Sequence, residues 1–290
     1  MDSGKRIAQL VQEACVREVC APKPGNVSPS HDFSDTSFED FLLSAIAIGP
    51  AFEHAGQAGV GRTILRAVEA SRRRVPSNTN LGIILLMAPL AKACLAGAGA
   101  LPQNTENVRE NLGAVLGALT LEDALLVYEA IRKVNPGGLG CSAEQDIAQA
   151  PSVTLLEAMA LAKDRDSIAS EYVTNFEITF GTGLPALKTA LSQGATYPDA
   201  VVQTFLTILS RVPDTLIARK NGEARSRQVS DCATEVLSQG GIHAARGRAK
   251  LKEMDRALSD GTHKLNPGTT ADLTAAAIFL ALLDENTFEE

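Results

Sequence analysis

Five short segments carry most of the residues that could do chemistry: "KPGNVSPSHDFSD" (23–35), "SNTNLG" (77–82), "GLGCSAEQD" (138–146), "PDTLIARKNGEARS" (213–226) and "NPGTTADL" (266–273). Each is dense in Asn, Asp, Lys, Thr and Gly. Together they suit a phosphorylated substrate with a divalent cation. Asp and Glu supply hard oxygen ligands for Mg²⁺. Lys and Arg neutralise phosphate, and backbone N–H groups at Gly-rich helix starts add anion sites. No Walker A motif, GxGxxG or HExxH occurs, so nucleotide chemistry here would not use a P-loop.

Taken singly, each residue has a plainer reading. Asn78, Thr79 and Asn80 can cap the helix after them, and Asp32 and Asp35 can cap the one at Phe38. His31 alone is an ordinary surface histidine. Arg219 and Lys220 suit a helix C-terminus. Cys141 reads as an inert small residue, since nothing near it in sequence lowers a thiol pKa. The density across five segments is what outweighs these readings.

The elements that must position such loops are helices. Phe38, Phe41, Leu42, Ala45 and Ile46 follow helical spacing. So do Leu155, Leu156, Met159 and Ala160; Val201, Phe205, Ile208 and Leu209; and Leu273, Ala277, Leu280 and Leu283. The pattern predicts helices near 4–20, 37–56, 60–74, 79–97, 105–117, 121–133, 152–163, 167–192, 197–211, 222–239, 243–260 and 270–284. No run alternates with period two. The expected fold is all-α, a single-domain helical bundle of about ten to twelve helices over 1–290. The turn-rich stretches 96–105 and 135–142 read as loops, not domain boundaries.

Composition agrees. The chain has 290 residues, 45% of them hydrophobic, with no Trp and only 4% aromatics. It can bury a core without disulfides or structural metal. A formal charge of −7 argues against a nucleic-acid surface. Cys15, Cys20, Cys94, Cys141 and Cys232 form no CxxC pair, which suggests reduced thiols in the cytoplasm. The charged N-terminal stretch is not a signal peptide. The apolar run Leu81 to Ala91 is too short to span a bilayer. A homo-oligomer is compatible with all of this.

The chain resembles the triphosphoribosyl-dephospho-CoA synthase family from roughly Val11 to Leu283. The resemblance rests on "KPGNV…HDF", "SAIAIGPAFE", "NTNLG", "GCSAEQD", "PDTLIARK" and "PGTTADL" in that order and spacing. It implies an all-α enzyme that transfers a triphosphoribosyl group from ATP to the 2′-hydroxyl of dephospho-CoA and releases adenine, with Mg²⁺ expected. The chain departs from the family pattern in three places. "NTHKG" is here Asn78-Thr79-Asn80-Leu81-Gly82, "SPGGSADL" is "NPGTTADL", and a "DTN…SRGG"-like run is Asp214-Thr215-Leu216 with Arg219-Lys220-Asn221-Gly222. The alternative is a divergent phosphoribosyl or nucleotide transferase acting on another acceptor in carrier-cofactor biosynthesis. A non-catalytic helical binding protein is the third class.

On that chemistry, Asp32, Glu144 and Asp272 are the carboxylates expected to bind metal or act as base, and His31 is the expected proton carrier. Lys23, Arg219 and Lys220 are expected to meet phosphate. Asn26, Asn78, Thr79, Asn80, Asp214, Asn266, Gly268 and Thr269 are expected to bind substrate. The helix after Pro267-Gly268 should begin near Thr269 or Thr270, with one hydroxyl as its cap. Asp272 in its first turn should then have a lowered pKa and stay ionised. Several carboxylates with few cations imply weak ATP binding without Mg²⁺.

Overall fold

The computed structural model describes residues 2–96, 104–140, 142, 144–259 and 264–284. Cys141 and most of the 96–105 loop lie outside the described residues. Among those described the fold is all-α with no strand, and its fourteen α-helices exceed the ten to twelve expected. Two helices are apolar on every face, and such helices belong in a core. They are α4 (Leu81–Cys94) and α14 (Gly268–Leu283), with twelve of fourteen and thirteen of sixteen residues buried. They pack on each other, and α14 also packs against α1 (Ser3–Cys20), α10 (Tyr197–Arg211) and α9 (Leu184–Ser192).

The remaining helices wrap this pair. The first, α1, lies along α2 (Phe38–Glu53), and α3 (Val60–Arg72) packs on α2, α4 and α6 (Leu121–Val134). Next to α4 sits α5 (Thr105–Gly117), and α7 (Leu155–Ala162) joins α6 to α8 (Ser167–Thr174). On the far side α12 (Glu223–Ser238) packs against α10, α11 (Thr215–Asn221) and α13 (Ala245–Leu258). One apolar cluster runs through the whole assembly, from Ile7 and Val11 to Phe279 and Leu282.

Two expectations about the helices need correction. The stretch 167–192 is not one helix. It breaks after Thr174, where Asn175 and Phe176 take left-handed backbone (φ 53° and 59°), and resumes as a π-helical turn (Thr179–Gly183) before α9. The buried Glu171 carboxylate holds the break by accepting from Ile178 N (2.8 Å), Thr179 N (2.9 Å) and Thr179 Oγ1 (2.5 Å). Burial pushes its pKa up to about 7 against those donors. The second correction is α11, seven residues within what reads as a loop. No single helix among the described residues is long and apolar enough to cross a membrane.

Candidate functional site

Helix ends converge on one cleft of about 460 Å³. The start of α4 supplies Ser77 to Gly82, and the start of α14 supplies Asn266, Gly268, Thr269 and Asp272. Arg219 and Lys220 come from the end of α11, Asp166 from the start of α8, and Glu18 from the last turn of α1. The loop after α1 adds Asn26, Phe33 and Asp35. Four of the five polar segments therefore meet here. The fifth, 138–146, adds Leu139 and otherwise lines an adjoining hollow.

Glycines set how closely these ends approach. A Cβ on Gly82 would collide with the Asp272 carboxylate, so only glycine lets the first turn of α14 lie against the first turn of α4. A Cβ on Gly268 would sit 2.7 Å from Leu216 Cδ2. Substitution at either position would push the α14 start away from its neighbours.

Asp272 is half-buried at the cleft floor, and its carboxylate makes no hydrogen bond or ion pair among the described residues. Its pKa lies well above the ordinary value. Burial is the largest cause, followed by the negative charges of Glu18, Asp214 and Asp166, with Arg219 opposing them. This overturns the expectation of a lowered pKa. The helix N-terminus favours charge by at most about 1–2 kcal/mol, and desolvation beside three carboxylates outweighs that. The cap differs from expectation too. Neither Thr269 nor Thr270 caps α14 with its own hydroxyl. The Asp214 carboxylate does so from α11, accepting from Thr270 N (2.7 Å) and Thr270 Oγ1 (2.8 Å).

Unpaired polar atoms make the cleft the candidate binding site. Asn80 Nδ2, Asn266 Oδ1, Ser77 Oγ and Arg219 Nε are buried without a hydrogen-bond partner, and all four residues line the cleft. An unmade bond at a buried polar atom costs about 1–3 kcal/mol, and native proteins tolerate few of them. Their neighbouring atoms are held in place. Asn80 Oδ1 accepts from Ser71 Oγ (3.2 Å), Asn78 Oδ1 accepts from Leu81 N (3.3 Å), and Thr79 Oγ1 bonds Ser44 Oγ (2.5 Å). Arg219 donates through NH1 to Asp166 Oδ2 (2.9 Å). Asn26 Nδ2 donates to Pro24 O (3.1 Å), and Thr269 Oγ1 accepts from Thr215 Oγ1 (3.3 Å). Lys220 makes no ion pair among the described residues.

Five expected site residues lie elsewhere. The Lys23 ammonium is fully buried against α1, paired with Glu18 Oε1 at 2.9 Å and bonded to the carbonyls of Glu18 and Ala21. It terminates a helix and does not reach the cleft. Asp214 is buried and spends all its capacity on caps, since Oδ1 accepts from Leu216 N (2.9 Å) and Ile217 N (3.0 Å) while Oδ2 holds Thr270. Burial raises its pKa, with those donors opposing. Asp32 is exposed and accepts from Phe38 N at 2.6 Å. His31 pairs its backbone with Ser28 and sets its ring edge-on to Phe33. Glu144 is exposed and lines only the adjoining hollow. The sequence reading missed Glu18 and Asp166, which line the cleft from a helix end and a short linker. Their only signal was adjacency, Glu18 to the "KPGN" turn and Asp166 to a helix start.

Asp32, Glu144 and Asp272 thus do not form one metal site, and no three His, Cys, Asp or Glu side chains among the described residues converge as a metal-binding group. A larger hollow of about 840 Å³ between α3, α4, α5 and α6 shares no lining residue with the cleft. Most of its polar groups are satisfied, Arg62 by Glu122, Lys92 by the carbonyls of Gly56 and Ala58, and Asp123 by Gly61 N and Thr120. The cleft is the better site because its polar atoms are not.

Comparison with known proteins bears on the chain's family. A family model described as ATP:dephospho-CoA triphosphoribosyl transferase matches residues 4–289. A Malonomonas rubra protein named "Probable 2-(5''-triphosphoribosyl)-3'-dephosphocoenzyme-A synthase" is 27% identical, the match covering 98% of this chain and 89% of the relative. A Klebsiella pneumoniae 2-(5''-triphosphoribosyl)-3'-dephosphocoenzyme-A synthase is 33% identical over 33% of this chain and 34% of the relative. A crystal structure from Archaeoglobus fulgidus, assigned to triphosphoribosyl-dephospho-CoA synthase, superposes with a TM-score of 0.63 at 32% identity. It covers 84% of this chain and 99% of its own.

Proposed function

The chain belongs to the ATP:dephospho-CoA triphosphoribosyl transferase family, and from that premise we propose how its cleft performs the family reaction. The enzyme moves the triphosphoribosyl group of ATP onto the 2′-hydroxyl of dephospho-CoA and releases adenine. The hydroxyl oxygen attacks C1′ of the ATP ribose, and the bond from C1′ to adenine N9 breaks. The hydroxyl gives up a proton, adenine takes one, and positive charge develops at C1′ between them.

Asp272 is suited to the donating role. Its burial beside other carboxylates keeps its proton on to higher pH, so it can protonate the departing base. Glu18 is suited to the accepting role. Lys23 holds its Oε1, no donor engages Oε2 among the described residues, and the residue lines the cleft. The remaining negative charge at the floor stabilises C1′ as it becomes cationic. Asn80 Nδ2 offers a free donor and Asn266 Oδ1 a free acceptor, which fit the edge of a base or a sugar hydroxyl. Lys220 meets the triphosphate, and Arg219, whose NH1 is tied to Asp166, is a second phosphate contact.

The carboxylate-rich lining also fits a divalent cation carried in with ATP. Asp35, whose charge is felt by Lys220, would hold it together with the phosphate oxygens. Mg²⁺ would neutralise and orient the triphosphate. We take 1–290 as one domain, since a single apolar cluster joins the first helix to the last, and we place the enzyme in the cytoplasm with its substrates.

The observation that carries this reading is the set of four unpaired buried polar atoms in the cleft. Adenine release from ATP tests it. Release should require dephospho-CoA, and Asn80→Ala or Asn266→Ala should lower kcat/KM about tenfold each, one lost hydrogen bond to substrate. ADP release instead, or full activity in both variants, would overturn it.

A further inference from the structure

The two substrates of this reaction differ in one respect. ATP is polar throughout. Dephospho-CoA has an adenosine, a diphosphate and a long pantetheine arm with a gem-dimethyl group, methylenes and two uncharged amides. The cleft supplies the charges and free polar atoms that ATP needs, beside apolar side chains such as Phe33, Phe41 and Ile83.

Beside it lies a hollow of about 190 Å³ with a larger apolar share, its own charged groups Glu144, Asp146 and Arg165 coming from the rim loop and the turn after α7. The two spaces share a wall made of Leu85, Ile131, Leu139, Asp166, Ile168 and Arg219. Beyond that wall the hollow is lined by Val127, Leu155, Met159 and Ala162, apolar faces of α6 and α7. Its polar groups are largely spoken for. Tyr128 Oη donates to Gln145 O (2.7 Å), Arg165 donates to Ser142 Oγ (3.1 Å), and the Gln145 amide is held on both sides by Ser152. A base would need free donors and acceptors, and those lie in the cleft. An uncharged, largely apolar chain needs surface to cover, and that lies in the hollow. Leu139 is 38% exposed and Leu161 46%, which is more apolar surface than a closed wall would leave.

We infer that the hollow between α6, α7 and α8 binds the pantetheine arm of dephospho-CoA. Arg219, at the shared wall with its Nε unpaired, meets the diphosphate, and the 2′-hydroxyl is left in the cleft facing the ATP ribose. The inference rests on the family reaction proposed above. It makes the hollow the determinant of acceptor choice, separating dephospho-CoA from ADP, which has the same adenosine, 2′-hydroxyl and diphosphate but no arm.

Calorimetry of the intact protein with dephospho-CoA, ADP and ATP tests it without turnover. The wild type should bind dephospho-CoA about a hundredfold tighter than ADP, the effect of covering the arm's apolar surface. Ala162→Phe, which fills the hollow, should erase most of that difference and leave ADP and ATP affinities within about twofold. Leu161→Ala, a truncation at a half-exposed site that lines the hollow and not the cleft, should weaken dephospho-CoA about three- to tenfold and ADP not at all. Equal binding of ADP and dephospho-CoA by the wild type would overturn the inference, as would an unchanged preference in both variants. Loss of ATP binding in Ala162→Phe would assign the hollow to the base of ATP instead. The reaction itself fails on a different readout. Wild-type protein that binds dephospho-CoA through the hollow yet releases no adenine would sink the transferase reading and keep the pocket.

Discussion

Two groups of polar residues lie within one helix turn of each other at the start of α14, and they differ in how fully they are satisfied. The Asp214 knot is closed. Its carboxylate accepts four hydrogen bonds, its carbonyl accepts a fifth from Ser226 Oγ (2.8 Å), and it joins α11, α12 and α14. The cleft floor is open. Asp272 has no donor among the described residues, and Asn80, Asn266 and Arg219 each keep an atom unused. Residue type is nearly the same in both. A closed group spends its polar atoms on the fold, whereas an open one keeps them for a ligand and destabilises the empty protein. The Glu18–Lys23 pair has both characters, with one carboxylate oxygen tied to a buried ammonium and the other at the cleft.

Substitutions in closed groups should therefore unfold the protein, and the largest effect should be at Lys23. Lys23→Met leaves Glu18 buried without its partner and should lower unfolding free energy by about 3–5 kcal/mol in denaturant titration. A stable Lys23→Met protein with weakened ATP binding would return Lys23 to the phosphate site. Asp214→Asn should cost about 2–3 kcal/mol, because an amide cannot accept from four donors. A stable, inactive Asp214→Asn protein would break the contrast between knot and floor.

The helices were legible because Ala- and Leu-rich stripes at helical spacing survive packing unchanged, as in α2, α10 and α14. The break at Asn175 and Phe176 was not. A phenylalanine in left-handed backbone carries no signal, and the tie that fixes it runs to Glu171, several residues back. Helix α11 was hidden because seven residues ending in Arg-Lys-Asn hold too little periodicity to stand out from a loop. Asn78, Asn80, Asn266 and Asp272 stood out because helix starts collect such types, and Arg219 and Lys220 because helix ends collect cations; the fold brings all six to one cleft. Lys23, Asp214, Asp32 and His31 were misplaced for the same reason. Sequence shows that a side chain can bond, and only the fold shows whether it already has.

Glu171 tests the closed state by pH, with a smaller effect. Its folded pKa, about 7, lies above the ordinary value of 4.5. The stability linked to its proton is present in full below pH 4.5 and lost as pH rises through about 7. Glu171→Gln should be less stable than wild type at pH 5, and the gap should narrow by about 2–3 kcal/mol by pH 8. A gap that widens would mean that the ionised form is the one the knot at Ile178 and Thr179 prefers.

The most direct test is Asp272→Asn, followed by melting temperature and adenine release in the same preparation. Because burial and neighbouring carboxylates raise the Asp272 pKa, ionising it opposes folding, and this cost grows as pH rises. The asparagine variant should melt at or above wild type at pH 8, with the difference shrinking toward pH 5. Its adenine release should fall about a hundredfold or more, the effect of removing one proton donor or charge at the reacting bond. A variant that is less stable at pH 8 and fully active would contradict the account, making Asp272 part of the fold and not of the chemistry.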